Sequence, residues 1–299
     1  MPRCGRVYRI RDGIADLDLN GSGSANKYET APVVSSYLWS QYADMVNDEN
    51  ASDAYRRWAE LMQPHAGLAI DAGTAVGRFT FEMARKSDFA VGIDNSRAFI
   101  RTARELMQQG EITVALKQEG YISTDMLLSM PAEWDCRKVE FIVADALALP
   151  FRAGSAGSFS SLNLIDKVPR PLRHLEEMNR VTRKAGAQFL LSDPFSWSEE
   201  AAGEEEWLGG KTSGPYAGRG LDNIMALLAD DRNQLMPGWD IISHGHVCQP
   251  ADERVWFAQF HRQRFGLSCG ARICPCSHLR GHDRSAPAEC PLHSDLGQE

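Results

Sequence analysis

The sequence has no run of about 18 apolar residues, which excludes an ordinary membrane-spanning helix. Its start, MPRCGRVYRIRDG, lacks the apolar core of a secretory signal, so the expected compartment is the cytoplasm. Cysteines number seven, an odd count at irregular spacing, and do not outline a disulfide framework. Net positive charge is also missing. A formal charge of −8 argues against a general nucleic-acid binder, which carries a basic face, and leaves room only for a local basic patch. What remains is ordinary for a globular chain: 43% hydrophobic residues over 299 positions, enough for one large domain or two small ones.

Along the chain, four regions separate. Residues 1–25 are a basic, then polar leader, ending in the flexible join NGSGSAN. Residues 26–64 space apolar and aromatic side chains at helical intervals and read as a helical lid, with Ser52 or Asp53 as an N-cap. Residues 65–266 alternate short apolar strands (AGLAID, FAVGID, KVEFIVAD, SFSSLNLI, AQFLLSD) with helical segments, and end in two strands that read as a hairpin. Such alternation predicts an α/β fold, a doubly wound and mostly parallel sheet covered on both faces, with ligands bound where the strands end. Residues 267–299 show no periodicity and read as a disordered tail.

The most specific stretch is IDAGTAVGRF, residues 70–79, between a strand and a helix. A dinucleotide loop requires Gly-x-Gly-x-x-Gly, yet Gly73, Ala75 and Gly77 fall at every second position and Arg78 takes the third glycine's place. Asp71 at the strand end would repel a pyrophosphate but favour a cation. S-adenosylmethionine (SAM), with a sulfonium, an ammonium and no phosphate, meets these conditions. Glycines let the backbone approach it, Asp71 can orient its ammonium through water, and the helix N-terminus can face its carboxylate. The next strand ends in Asp94-Asn95, where a carboxylate can accept both ribose hydroxyls. The third ends in Asp145-Ala146, placed to read the adenine edge. Taken singly, each is an ordinary solvated strand-end residue; three acidic strand ends in succession form the stronger signal.

At these residues the chain resembles the class I SAM-dependent methyltransferases, over residues 65–265 or so. The resemblance implies a seven-stranded sheet closed by an antiparallel hairpin. More narrowly, DAGTAVGR, VGIDNSRAFI, NLIDKVPRP and SDPFSWSEE…EEWLGG resemble the mercaptohistidine (ovothiol-type) N-methyltransferases and their bacterial relatives. That likeness implies a small substrate such as an imidazole or thiol. The leader CGRVYRIRDGI is similar to the end of a small zinc-ribbon module, either degenerate or truncated. Met1 stands where a cysteine would be, so no zinc is expected at Cys4.

Further candidates follow. Asn163, Asp166 and Lys167 come after the fourth strand. Asn163 can contact cofactor or substrate, and Asp166 can take a substrate proton, or it can be an exposed turn residue paired with Lys167. Among the lid aromatics, Tyr37 and Tyr42 have polar tips that can reach a ligand. Trp197 and Trp207, in a Gly- and Glu-rich loop, are expected to wall the substrate pocket. His244 and His246 share one face of a late strand, where a solvated face explains them. The tail's Cys269, Cys274, Cys276, His278, His282 and Cys290 lack paired metal-ligand spacing, and no metal is expected.

The reading that unites these features is in-line methyl transfer from SAM to a small molecule, an imidazole, amine or thiol. Two alternatives stay open: an RNA methyltransferase using Arg3, Arg6, Arg9 and Arg11, and a non-catalytic cofactor-binding subunit.

Overall fold

A computed structural model describes residues 7–18, 27–46, 48, 51–230, 235–248 and 254–262. In chain order the strands are β1 (Arg9–Arg11), β2 (Ile14–Asp16), β3 (Leu68–Ala72), β4 (Phe89–Asp94), β5 (Glu111–Glu119), β6 (Ile122–Ser129), β7 (Val139–Val143), β8 (Ala156–Leu162), β9 (Gln188–Asp193), β10 (Asp240–Cys248) and β11 (Arg254–His261). The α-helices are α1 (Ala31–Tyr42), α2 (Ala54–Leu61), α3 (Arg78–Ala84), α4 (Arg97–Gln109), α5 (Pro171–Val181) and α6 (Gly220–Ala229).

The main sheet runs β1-β2-β7-β4-β3-β8-β9-β11-β10. From β2 through β9 neighbouring strands are parallel, while β1–β2 and β10–β11 are antiparallel hairpins and β11 is antiparallel to β9. The fold class is thus the expected mixed α/β with a largely parallel sheet, but among the described residues the sheet has nine strands rather than seven. Residues 9–16, part of the leader, supply the extra two.

Parallel strands covered on both faces must satisfy their own polar groups. Every residue of β8 is buried, three of them serines. Ser158 Oγ accepts from Gln188 Nε2 at 2.9 Å, Ser160 Oγ donates to Asp71 Oδ1 at 2.7 Å, and Ser161 Oγ bonds His174 Nε2 at 2.9 Å. Apolar packing divides between the two faces. One cluster includes Tyr42, Trp58, Phe79, Phe99 and Phe141; the other includes Ile70, Phe159, Leu175, Phe189 and Ile224.

Local signals explain the helix boundaries. Ser96 caps α4, its Oγ accepting the Phe99 N–H at 3.2 Å, and Gly110 ends the helix at φ +78°. Pro171 opens α5, where its missing N–H costs nothing.

The β5–β6 pair is a separate antiparallel sheet. Alternation of Ile112, Val114 and Leu116 is the period-2 signal that marks it. No helix among the described residues is long and apolar enough to cross a membrane. Cys4, residues 20–26 of the join and the tail's cysteines and histidines lie outside the described residues.

Candidate active site

The loop after β3 is built by backbone conformation. Gly73 (φ +74°), Ala75 (φ +48°) and Gly77 (φ +95°) all lie in the left-handed region. The amides of Gly73 and Thr74 donate to the Ile93 carbonyl at 2.9 and 3.0 Å, tying the loop to the end of β4. The Asp94 carboxylate then accepts the Ala75 N–H at 3.0 Å and the Ser96 N–H at 2.8 Å. Burial pushes its pKa up to about 6.

Gly73, Ala75, Asp94, Asn95, Asp145, Ala146 and Asn163 all line one cavity of about 480 Å³, and Tyr37 stands on its wall. Such a volume falls within the range of small-molecule sites. Asn163 has φ +53°, and its buried Oδ1 has no hydrogen-bond partner. An acceptor left unpaired in a cavity wall is an opening for a ligand donor.

Six expected site residues do not line this cavity. Asp71 is fully buried, accepting from Ser160 Oγ at 2.7 Å and from Thr80 Oγ1 at 2.8 Å; Thr80 in turn bonds Thr74 Oγ1 at 2.6 Å. It braces the loop from behind, with a pKa pushed up to about 6 by burial. Gly77 faces the core instead: an added Cβ would stand 2.7 Å from the Phe141 ring. Tyr42 is a core residue whose hydroxyl donates to the Val76 carbonyl at 2.9 Å. Asp166 is buried, accepting from the Ser196 amide and hydroxyl at 2.9 and 2.8 Å and from Lys167 Nζ at 2.9 Å. It ties one loop to another and does not face the cavity. Next to it, Asp193 is held well above the usual carboxylate range by burial and by the Asp166 charge.

Trp197 and Trp207 stack on each other with centroids 6.4 Å apart. Trp207 Nε1 donates to Ala202 O at 2.8 Å, while Trp197 borders a separate cavity of about 210 Å³ beside Arg219 and Trp256. His244 and His246 are exposed on β10.

Tyr28, one of the lid aromatics, also lines the cavity, and three lining residues carry no motif signal: Asp18, Gln41 and Tyr55. Gln41, from the lid helix α1, donates to the Thr74 carbonyl at 3.4 Å and to the Tyr55 hydroxyl at 3.2 Å, and accepts the Arg78 N–H at 3.3 Å. The lid therefore grips the glycine loop by its backbone. Arg78 completes the grip through ion pairs of 3.1 Å to Asp44 of the lid and to Glu82. Helical spacing of Gln41 beside Tyr42 was the only available hint.

On the opposite side, His174 supports the Asp145–Ala146 turn. Its Nδ1 lies 3.2 Å from the Ala146 carbonyl, and burial lowers its pKa to about 4. The ring is neutral at ordinary pH, and a carbonyl only accepts. Nδ1 must therefore carry the proton, and Nε2 accepts from the Ser161 hydroxyl. Asp145 Oδ1 accepts the Leu147 N–H at 2.8 Å, closing the turn.

Residues 70–190 match the model of a family described as a methyltransferase domain. No curated protein matches the chain in sequence. Among solved structures, it is similar to a SAM-dependent methyltransferase of Methanosarcina mazei, at 18% identity over 69% of this chain and 96% of that one, TM-score 0.44. It is also similar to a SAM-dependent methyltransferase of Aquifex aeolicus, at 13% identity over 73% and 95%, TM-score 0.43. A third is the magnesium protoporphyrin IX methyltransferase of Synechocystis, solved with bound SAM, at 13% identity over 81% and 87%, TM-score 0.44.

Proposed function

We propose that this protein is a SAM-dependent methyltransferase acting on a small molecule. The observation that carries the reading is the convergence of the Gly73–Ala75 turn, Asp94, the Asp145–Ala146 turn and Asn163 on one cavity. Their chemistry fits the cofactor part by part. Asp94 is an acceptor for the ribose hydroxyls. Asp145 and Ala146 offer polar groups to the adenine edge. Asn163 Oδ1, buried without a partner, is an acceptor for the methionine ammonium. The methyltransferase-domain match over residues 70–190 supports the same reading.

SAM, when bound, supplies an activated methyl group for in-line displacement. The chain's own contribution is to align an acceptor and exclude water. The lid does the excluding: Lys27 reaches Glu200 across the fold at 2.8 Å, and Glu29 accepts the amides of Arg97 and Ala98 at 2.7 and 3.1 Å. A cavity walled by this lid suits a compact acceptor, an imidazole, amine or thiol, which needs no strong base. Asp166 binds Ser196 and Lys167 through Oδ2 alone, its Oδ1 is buried without a partner, and the residue does not line the cavity, so no base is assigned to it.

The test is isothermal titration with S-adenosylhomocysteine (SAH), with NAD as control. Micromolar binding of SAH alone supports the reading, and its absence overturns it. Binding without transfer to any acceptor would favour a cofactor-binding subunit.

A further inference from the structure

We propose that Asp18, from the N-terminal leader, accepts a hydrogen bond from the exocyclic amine of the bound cofactor's adenine, which makes the leader a base-reading wall of the site. The proposal rests on the SAM reading above and extends it to a residue outside the strand-end motifs.

The placement follows from pairing. β2 adds to the edge of the sheet beside β7, with Asp16 opposite Val143, and the Leu17 N–H donates to the Val143 carbonyl at 2.8 Å. The next residue, Asp18, emerges level with Ala144 and Asp145, where β7 ends, and lines the same cavity as Asp145, Ala146 and Leu147.

Three contacts hold the segment there. Ile14 is buried in the core. Ala15 and Leu17 pack against the apolar cluster on one sheet face. Asp16 pairs with Arg97 in the first turn of α4, directly after the Asp94 turn. The leader is thus fastened to both elements that flank the cavity's acidic end.

The chemistry then selects a part of the ligand. Asp18 and Asp145 put two carboxylates on one stretch of wall. Carboxylates only accept. An adenine amine offers two N–H donors in one plane and no acceptor, so it meets both. Hypoxanthine places a carbonyl oxygen at that position, and an oxygen facing a carboxylate is repelled. Asp18 should therefore help the site distinguish adenine from hypoxanthine, as a hydrogen-bonding site rejects an analogue lacking the matching donor.

The experiment compares SAH with S-inosylhomocysteine, its 6-oxo analogue, by titration against the full-length wild type, Asp18→Ala and Asp18→Asn, with thermal unfolding to confirm folding. The wild type should prefer SAH at least tenfold. Asp18→Ala should weaken SAH about fivefold to twentyfold, improve the inosine analogue by removing that repulsion, and so shrink the preference at least fivefold. Asp18→Asn, whose amide can donate, should shrink it further by improving the analogue. An unchanged preference in both variants, with SAH still bound by the wild type, overturns the role of Asp18. Failure of the wild type to bind either ligand instead removes the SAM reading itself.

Discussion

Asp94 accepts the backbone N–H of Ala75 at 3.0 Å, so the terminal carboxylate of β4 fixes the glycine loop that follows β3. One residue thus shapes the loop and faces the cavity. Replacing it with alanine should weaken SAH roughly 10- to 100-fold, the scale of lost charge-assisted hydrogen bonds. Asp94→Asn should lose less, because an amide oxygen still accepts. Titration with SAH reads both, and an unaltered affinity in Asp94→Ala would remove the ribose assignment.

The same carboxylate predicts a pH dependence. Burial raises its pKa from 3.8 to about 6. The ionised form is the better acceptor for ribose hydroxyls, and SAH itself does not titrate between pH 5 and 7.5. Affinity should therefore fall about tenfold from pH 7.5 to 5, the loss of ionised carboxylate expected one unit below its pKa. Asp94→Asn should flatten the profile. A profile equally steep in that variant would assign the titration to another group, with Asp71 the first to examine, since burial raises its pKa to about 6 as well.

Gln41 carries the coupling between lid and loop. In Gln41→Leu, the Arg78 amide and Thr74 carbonyl lose a buried partner. The expected cost is about 1–3 kcal/mol of stability, read by urea unfolding. Because these groups flank Ala75, SAH should also bind about tenfold more weakly. A variant that loses stability but keeps full SAH affinity would show that the lid packs on the loop without ordering it.

Much of this site was legible because chemistry sat at strand ends. The apolar runs before Asp71, Asp94 and Asp145 mark buried parallel strands, and their last residues must reach the ligand edge of the sheet. The pattern could not reveal depth. Asp71 and Asp94 end adjacent strands in similar sequence, yet Ser160 and Thr80 draw Asp71 into the core while Asp94 stays on the cavity wall. Those partners lie on β8 and α3, and only tertiary packing assembles them. The leader was misleading for another reason: three-residue strands such as Ile14–Asp16 are too short to show a period. Trp197 and Trp207 sit where an aromatic-rich loop suggested a pocket wall, but they stack on each other away from the main cavity.

His174 allows a stability test with a definite sign. Burial lowers its pKa from 6.5 to about 4, so between those values the unfolded chain binds the extra proton. Its contribution to stability is complete above pH 6.5 and is lost as pH falls toward 4, by roughly 2 kcal/mol at pH 5. Asp71 and Asp94 act in the opposite direction. Their pKa values are raised, so the stability they add is present at acid pH and lost as pH rises through about 6. The wild-type profile mixes these effects, and comparison with His174→Gln separates them. Glutamine keeps a donor for the Ala146 carbonyl but has no group that titrates here. It should be less stable than the wild type by about 1–2 kcal/mol at pH 7.5, for a weakened pair of hydrogen bonds. By pH 5 that deficit should vanish or reverse, because only in the wild type does unfolding release an imidazole that takes up a proton at this pH. Urea unfolding of both proteins at the two pH values gives the answer. A deficit that stays constant would mean the ring accepts a proton without unfolding, and the neutral bridge between Ser161 and Ala146 would have to be abandoned.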